Sequence, residues 1–450
     1  MLKKLDSFLS PIANALSKNK ILSAIRDGFL ITTPIVIIGS LFLLIANFPI
    51  NGYEEFMAGI FGEGWDAYLG RVTSIAFDCI ALLSSFSIGY CYAREKGLAD
   101  RVSAAAVALV SFLIVTPQQH PDFVNIEDSE KVFRGFSFGN FGTAGIFLSM
   151  IVAIISVSIF TWAIKKKLVI KLPDGVPPAV MDSFAALIPA ALSMIFFFVI
   201  NIIISHTSYE YLHNLIYQVL QAPLVGLGRF ALFEVIYQFL STLFWFFGIN
   251  GPAVTNTVFS PIHKALTLEN YEAAQAGLKM TNIFTAGFSD FFCNFGGGGS
   301  TLGLVIMMAF LAKSERMKVL GRLSLPAGIF GINEPIIFGL PIVLNPIMII
   351  PFILSPIANT VIAYLATIAG FIPITSGIQL PWTTPIGFSG YLITGTFSAV
   401  ILQIGLLALN MAIYYPFMKL LDNQYLEEEK NKVEEVDEID SLSFDDLSLD

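Results

Sequence analysis

Apolar residues are gathered into long uncharged runs, separated by short polar or charged stretches. Such runs cover residues 28–53, 102–121, 135–164, 183–209, 235–263 and 291–312, and residues 72–93 contain only Asp78. Each approaches or exceeds the ~20 residues that a helix needs to cross a ~30 Å hydrocarbon layer. The last run, 323–418, has room for three or four further passes. The pattern therefore predicts an all-α polytopic membrane protein of about ten transmembrane helices.

Glycine and proline change the picture in the second half. FGINGP (247–252), NFGGGGS (294–300), GINEPIIFGLP (331–341) and LPWTTPIGFSG (380–390) cannot be regular helix. Lipid offers no hydrogen bonds, so irregular backbone at membrane depth must be buried in protein or line a cavity. The expected architecture is two re-entrant hairpins around a site. Phe247-Gly-Ile-Asn-Gly-Pro252 and Phe330-Gly-Ile-Asn-Glu-Pro335 agree at five of six positions. The alternatives are a chance match of common residues or a repeated turn that presents Asn250 and Glu334 to one cavity.

The 55% hydrophobic content and 13% charged content agree with a membrane protein. Residues 426–450 hold eleven acidic residues and two lysines, a balance of −9 that equals the formal charge of the whole chain. The acidity is thus no sign of a basic partner, and nothing points to nucleic acid. Residues 421–450 read as an acidic, disordered cytoplasmic tail. Residues 1–27 read as a retained interfacial helix, 28–205 as an N-terminal transmembrane half, 206–228 as an amphipathic linker and 229–420 as a C-terminal transmembrane half. Basic clusters at the N-terminus, 93–101, 165–171 and 313–318 are expected in the cytoplasm, and acidic loop 54–66 outside, which puts both termini inside. Cys79, Cys91 and Cys293 lie in apolar surroundings without ligand spacing, so neither a metal nor a disulfide framework is suggested.

Glu334 is the only Asp, Glu, Lys or Arg among the 96 residues from Leu323 to Met418. A charge at membrane depth is costly and marks a pathway or a site. Burial would suit the carboxyl to accept and release a proton. Asn294 to Gly303 lacks side chains at four consecutive positions, so a ligand can approach the backbone around Gly297 and Ser300; a plain hairpin tip would need the same glycines. No GxxxxGK[ST] stretch occurs, so a nucleotide is not the direct energy source. Trp245 and Trp382 flank the polar breaks and suit stacking on a pyranose, although tryptophan also gathers at membrane interfaces. His120, His206, His213 and His263 read as interfacial or loop residues. Asp78, Glu234 and Asp290 read as span-end charges.

FGINEPIIFGLPIVLNP (330–346), NFGGGGSTLGL (294–304), FWFFGINGP (244–252) and IRDGFLITTPIVIIGSLFLLI (25–45) together resemble the membrane IIC component of the bacterial sugar phosphotransferase system, in its lactose, cellobiose and diacetylchitobiose branch. The resemblance implies a homodimer in the bacterial plasma membrane, with a dimerising N-terminal half and a sugar-binding C-terminal half. It implies import of a β-linked disaccharide, phosphorylated on its 6-hydroxyl by phospho-IIB, which is charged by IIA, HPr and enzyme I. No cofactor is implied. Carried over residue by residue, Glu334 matches the essential carboxylate, and Asn294 and Asn333 match polar residues near the sugar. Many relatives read Gly-Ile-His-Gly where this chain has Gly248-Ile-Asn-Gly251; Asn250 can bind hydroxyls but cannot take a proton. A fused IIB domain is absent from the sequence, which favours the cellobiose or chitobiose type. The competing function is a proton-coupled secondary transporter with Glu334 as proton carrier; a channel is disfavoured for want of a charged ring.

Overall fold

The computed structural model describes residues 19–46, 48, 52–118, 135–173, 176–340, 342–343, 345 and 347–441. Most of the predicted N-terminal helix, and His120, lie outside them. The described residues form helices and connecting turns, with no strand among them. Among the described residues, five helices are long and apolar enough to cross a membrane: Lys20–Ala46, Thr143–Lys165, Ser183–Ser205, Ile349–Ile368 and Phe397–Asn431. Two bent pairs, Asp66–Asp78 with Ile80–Glu95 (46°) and Leu212–Gly228 with Ala231–Phe246 (79°), bring the number to seven if each is one span.

Glycine turns divide several of the uncharged runs. Residues 235–263 are shared between Ala231–Phe246 and Gly251–Gln275, and within 291–312 only Leu302–Leu311 is regular helix. The run 323–418 contains the short helices Glu334–Gly339 and Phe388–Thr394 beside the long Ile349–Ile368 and Phe397–Ser441.

Contacts divide the chain into two compact units that interleave in sequence. The first comprises Met1–Glu234, Ala253–Gly287 and Ile374–Leu380; the second comprises Val235–Pro252, Phe288–Pro373 and Pro381–Asp450. In the first, Lys20–Ala46 packs on Asp66–Asp78 and Ile80–Glu95. A methyl placed on Gly28 would lie 2.4 Å from the Ile88 side chain, and one on Gly39 2.4 Å from Ala76. Small residues let these backbones approach, as packing between helices in lipid requires. Helix Pro178–Ser205 keeps Ile195, Phe198 and Ile203 more than half exposed, an apolar surface suited to lipid.

Residues 276–287 and 374–380 join this unit through Asn270, whose amide nitrogen donates to the carbonyls of Asn282 (2.7 Å) and Thr375 (3.0 Å). His263 is not a loop histidine: it lies within helix Gly251–Gln275 and meets Glu234, which stands in the first turn of Ala231–Phe246 as a span-end charge. Both are buried and pair at 2.7 Å, which satisfies two polar groups that apolar surroundings would otherwise penalise.

The second unit is built on Leu302–Leu311, Glu315–Ile329, Ile349–Ile368 and Phe397–Ser441. Its core includes Leu304, Met308, Ile337, Phe352, Tyr414 and Met418. The tail does not become disordered at 421. Tyr414, Met418, Leu421 and Tyr425 continue one buried stripe, and the helix runs to Ser441. Buried Asp422 accepts the backbone N–H of Lys313 (2.8 Å) and Ser314 (2.9 Å), and Glu429 accepts those of Glu315 (3.2 Å) and Arg316 (3.0 Å). These carboxylates satisfy donors at the start of helix Glu315–Ile329, where no intrahelical acceptor exists. Arg316 lies over the Tyr425 ring at 4.1 Å and completes the contact.

Candidate sugar site in the second unit

The two six-residue matches fold into the same turn. After Ala231–Phe246, the N–H of Gly248 donates to Trp245 (2.9 Å) and that of Ile249 to Phe244 (3.0 Å). After Glu315–Ile329, the N–H of Gly331 donates to Gly328 (3.1 Å) and that of Ile332 to Ala327 (3.0 Å). Both glycines take positive φ, 77° and 80°. This paired reverse hydrogen bonding closes a helix C-terminus and needs a left-handed residue at the position each glycine occupies. A proline then stands second in each following helix, Pro252 in Gly251–Gln275 and Pro335 in Glu334–Gly339. The repeat is therefore a repeated turn and not a coincidence of composition.

The glycine loop is clamped against the second of these turns. Each carbonyl from Gly296 to Gly299 has a fixed partner: Thr301 Oγ1 (2.8 Å), the Ser300 N–H (3.0 Å), Asn333 Nδ2 (2.7 Å) and Tyr414 Oη (2.6 Å), in that order. A methyl on Gly297, whose φ is 87°, would sit 2.6 Å from the Asn333 side chain and 2.7 Å from the Gly331 carbonyl. A side chain there would push the loop off the turn that precedes Glu334. The glycines thus serve close packing of two backbones, beyond the plain need for a tight bend.

Beside this junction lies a small cleft, lined among others by Asp290, Asn294, Gly331, Trp382, Thr384 and Ser389. Asn294 donates to Gln238 Oε1 (2.9 Å), and Gln238 donates to Ser289 Oγ (3.1 Å). Gln403 ties opposite segments of the lining: its Nε2 donates to the Phe291 carbonyl (2.8 Å) and Ser389 Oγ (3.0 Å), and its Oε1 accepts the Gly387 N–H (2.7 Å). Trp382 is 59% exposed and lies against Gly331.

The expected site residues are sorted by this geometry. Asn294 and Trp382 line the cleft. Asn333 and Gly297 form its supporting junction. Asn250 is exposed on the first turn, and Glu334 is exposed on the second, at the first position of its helix. The expectation of a buried carboxyl at 334 is corrected: Pro335 and the turn hold the residue at an open surface. Trp245 offers no open stacking face, because it is 5% exposed, with its Nε1 edge toward Gly298 and its ring against Phe338. Ser300 is fully buried; its hydroxyl accepts the Phe295 N–H (2.9 Å) and the amides of Asn359 (3.0 Å) and Asn410 (3.3 Å). It braces the loop and is not placed to touch a ligand.

Sequence reasoning passed over Gln238, Asn359, Gln403 and Asn410, all buried within apolar runs. A search confined to charges misses them, yet a buried amide must find partners and so can organise a site. It also left Asp290 as a span-end charge, whereas the structure puts this residue in the cleft wall.

These features can be set beside known proteins. A family profile described as "Phosphotransferase system, EIIC" matches residues 26–356. The chain is 42% identical over 433 residues to the cellobiose-specific EIIC component of Geobacillus stearothermophilus, covering 95% of this chain and 96% of that one. It is 39% identical over 429 residues to the lichenan permease IIC component of Bacillus subtilis (strain 168), covering 95% of each. The crystal structure of ChbC, the IIC component from the N,N'-diacetylchitobiose-specific phosphotransferase system, superposes with a TM-score of 0.91 at 41% identity, covering 95% of this chain and 99% of that one. The chain belongs to the EIIC family of the phosphotransferase system. It is a sugar-specific, multi-pass plasma-membrane component that works with IIB and the phosphotransferase cascade, and the proton-coupled alternative is set aside.

Proposed function

We propose that the protein imports a β-linked disaccharide of the cellobiose or diacetylchitobiose type, and that phospho-IIB phosphorylates its 6-hydroxyl at the cytoplasmic face. The observation that carries the reading is the exposed Glu334 carboxylate, presented by a turn that Asn333 pins to the glycine loop. Phosphoryl transfer asks the protein for positioning and for a group that orients and deprotonates the hydroxyl. In the reaction the phosphorus–sulfur bond of the donor phosphocysteine breaks, the phosphorus–oxygen bond to the sugar forms, and the hydroxyl proton passes to Glu334. Asn250, on the matching turn, accepts and donates hydrogen bonds to hydroxyls without taking part in proton transfer. The phosphate then holds the product inside, because a site shaped for neutral sugar does not return it.

In the same reading the chain forms a homodimer of ten-span protomers with two re-entrant hairpins and both termini cytoplasmic. The interrupted helices at 247–250, 294–300 and 330–333 support hairpins at membrane depth. Product analysis in sealed vesicles tests the function. Sugar phosphate formed only with a phosphorylated IIB donor is expected, and accumulation of free sugar driven by a proton gradient would refute it.

A further inference from the structure

Glu334 stands on an element that cannot hold itself. Its helix, Glu334–Gly339, is six residues long, well short of the ~12–15 residues at which an isolated helix becomes even marginally stable. Its direction is therefore set by packing. Ile336 and Ile337 belong to one buried core with Met317 of helix Glu315–Ile329 and with Tyr414, Met418 and Leu421 of the last helix. The short helix also lies back on Glu315–Ile329 at close range, since a methyl on Gly339 would sit 2.4 Å from the Leu320 side chain.

The two supports are fastened to each other at a buried carboxylate that the phosphorylation chemistry leaves unused. Asp422 of the last helix accepts the N–H of Lys313 (2.8 Å) and of Ser314 (2.9 Å). Ser314 is itself buried, and its hydroxyl oxygen accepts the N–H of Met317 (3.3 Å), which lies in the same core as Ile336 and Ile337. Helix Glu315–Ile329 has no slack on its other side: a methyl on Gly321 would sit 2.5 Å from the backbone nitrogen of Ala309. Interiors packed this closely transmit a displacement instead of absorbing it.

We infer that Asp422 is a positioning residue for phosphoryl transfer: by fastening the last helix to the start of helix Glu315–Ile329, it fixes the platform on which Glu334 meets the sugar hydroxyl. This assignment rests on the reading of Glu334 as the proton acceptor. Proton transfer needs the acceptor within hydrogen-bond reach of the hydroxyl, and a misplacement of about 1 Å can cost on the order of 100-fold in rate. Sugar binding in the same reading uses Asn250, Asn294 and Trp382 as well. Rate and affinity should therefore separate when the fastening is removed.

The test uses the full chain with phospho-IIB, at a temperature well below the thermal midpoint of each variant, and cellobiose or N,N'-diacetylchitobiose, whichever the parent phosphorylates. Asp422→Ala should lower kcat by about 10- to 100-fold and leave the Kd for the sugar within about twofold of the parent. Asp422→Asn keeps one carbonyl oxygen for the two donors but loses the charge that strengthens those bonds, so its kcat should fall by only about threefold. A nitroxide on Ile332→Cys reports on the turn itself, because Ile332 is exposed whereas Cys79, Cys91 and Cys293 are buried. The label stands beyond the far end of a 15-residue helix, ~22 Å along its axis from the clamp, so fraying confined to the clamp leaves its spectrum unchanged. Asp422→Ala is expected to sharpen that spectrum toward a more mobile probe. A parent kcat, an unchanged spectrum, or a loss of affinity as large as the loss of rate each overturns the assignment alone. If the alanine variant does not fold, the Asn variant decides, and parent values of kcat and spectrum in it overturn the assignment. Sugar-phosphate formation retained by Glu334→Gln, or a parent active on neither sugar, overturns the underlying reading and the assignment with it.

Discussion

Glu334 and Asn250 occupy equivalent turns and differ in the one property that separates their proposed roles, since only the carboxylate can take a proton. Replacing Glu334 by Gln keeps the shape and removes the proton acceptor. Phosphorylating uptake should be lost while the variant still elutes as folded protein on size exclusion, and normal sugar-phosphate formation would contradict the catalytic assignment. Asn250 is exposed on its turn, where it is proposed to meet sugar hydroxyls. Leaving such hydroxyls unpaired costs ~1 to 3 kcal/mol, so Asn250→Ala should weaken disaccharide binding by roughly 5- to 150-fold in a calorimetric titration. Wild-type affinity in that variant would separate the structural repeat from sugar binding. Asn333 and Ser300 show the limit of reading residues singly. Their types suit a ligand, but Asn333 is held by the Gly298 carbonyl, and Ser300 is the acceptor for three donors of its own unit.

Helix ends carry much of the organisation at the next scale. The turns after Phe246 and Ile329 close in the same way, and each places a polar residue where the next helix begins. Helix Glu315–Ile329 leads directly into the turn that bears Glu334, and its other end is held by Asp422 and Glu429. Asp422→Ala would strand the buried N–H donor of Ser314 and the half-buried one of Lys313, at a cost of about 1–3 kcal/mol. Its thermal midpoint in detergent should fall, and an unchanged midpoint would show that the clamp is dispensable. Removing residues 432–450 should leave both midpoint and sugar binding unaltered, because the clamp formed by the described residues reaches only to Glu429. Removing 426–450 also deletes Glu428 and Glu429. Those contacts are exposed, so this truncation should cost less than about 1 kcal/mol, and sugar binding should persist.

Across the whole molecule, the uncharged runs predict membrane passage, and the helices described bear out an all-α membrane protein. Helix Pro178–Ser205 and its exposed Ile195, Phe198 and Ile203 present an apolar face that water does not tolerate. The proposed homodimer is tested by multi-angle light scattering with the detergent contribution subtracted, where twice the 49.2 kDa chain mass is expected. A monomer that retains phosphorylating uptake would remove dimerisation from the mechanism.

The sequence by itself determined the solvent, the chemistry class and the special turns. Charge exclusion over 96 residues isolated Glu334, and the duplicated Gly-Ile-Asn stretches marked two closures of the same kind, because membrane insertion and left-handed backbone are constraints on residue type. Even the helical course past 421 was legible in the stripe Tyr414, Met418, Leu421, Tyr425, which the acidic composition obscured. Only the tertiary structure decided which polar groups face a cleft and which face each other. It closed Trp245 and Ser300 into the core, opened Glu334 and brought Asp290 beside Asn294. A side chain's type states what bonds it can make, whereas its partner is chosen by the packing of segments distant in the chain, as with Asn359 and Asn410 meeting at Ser300.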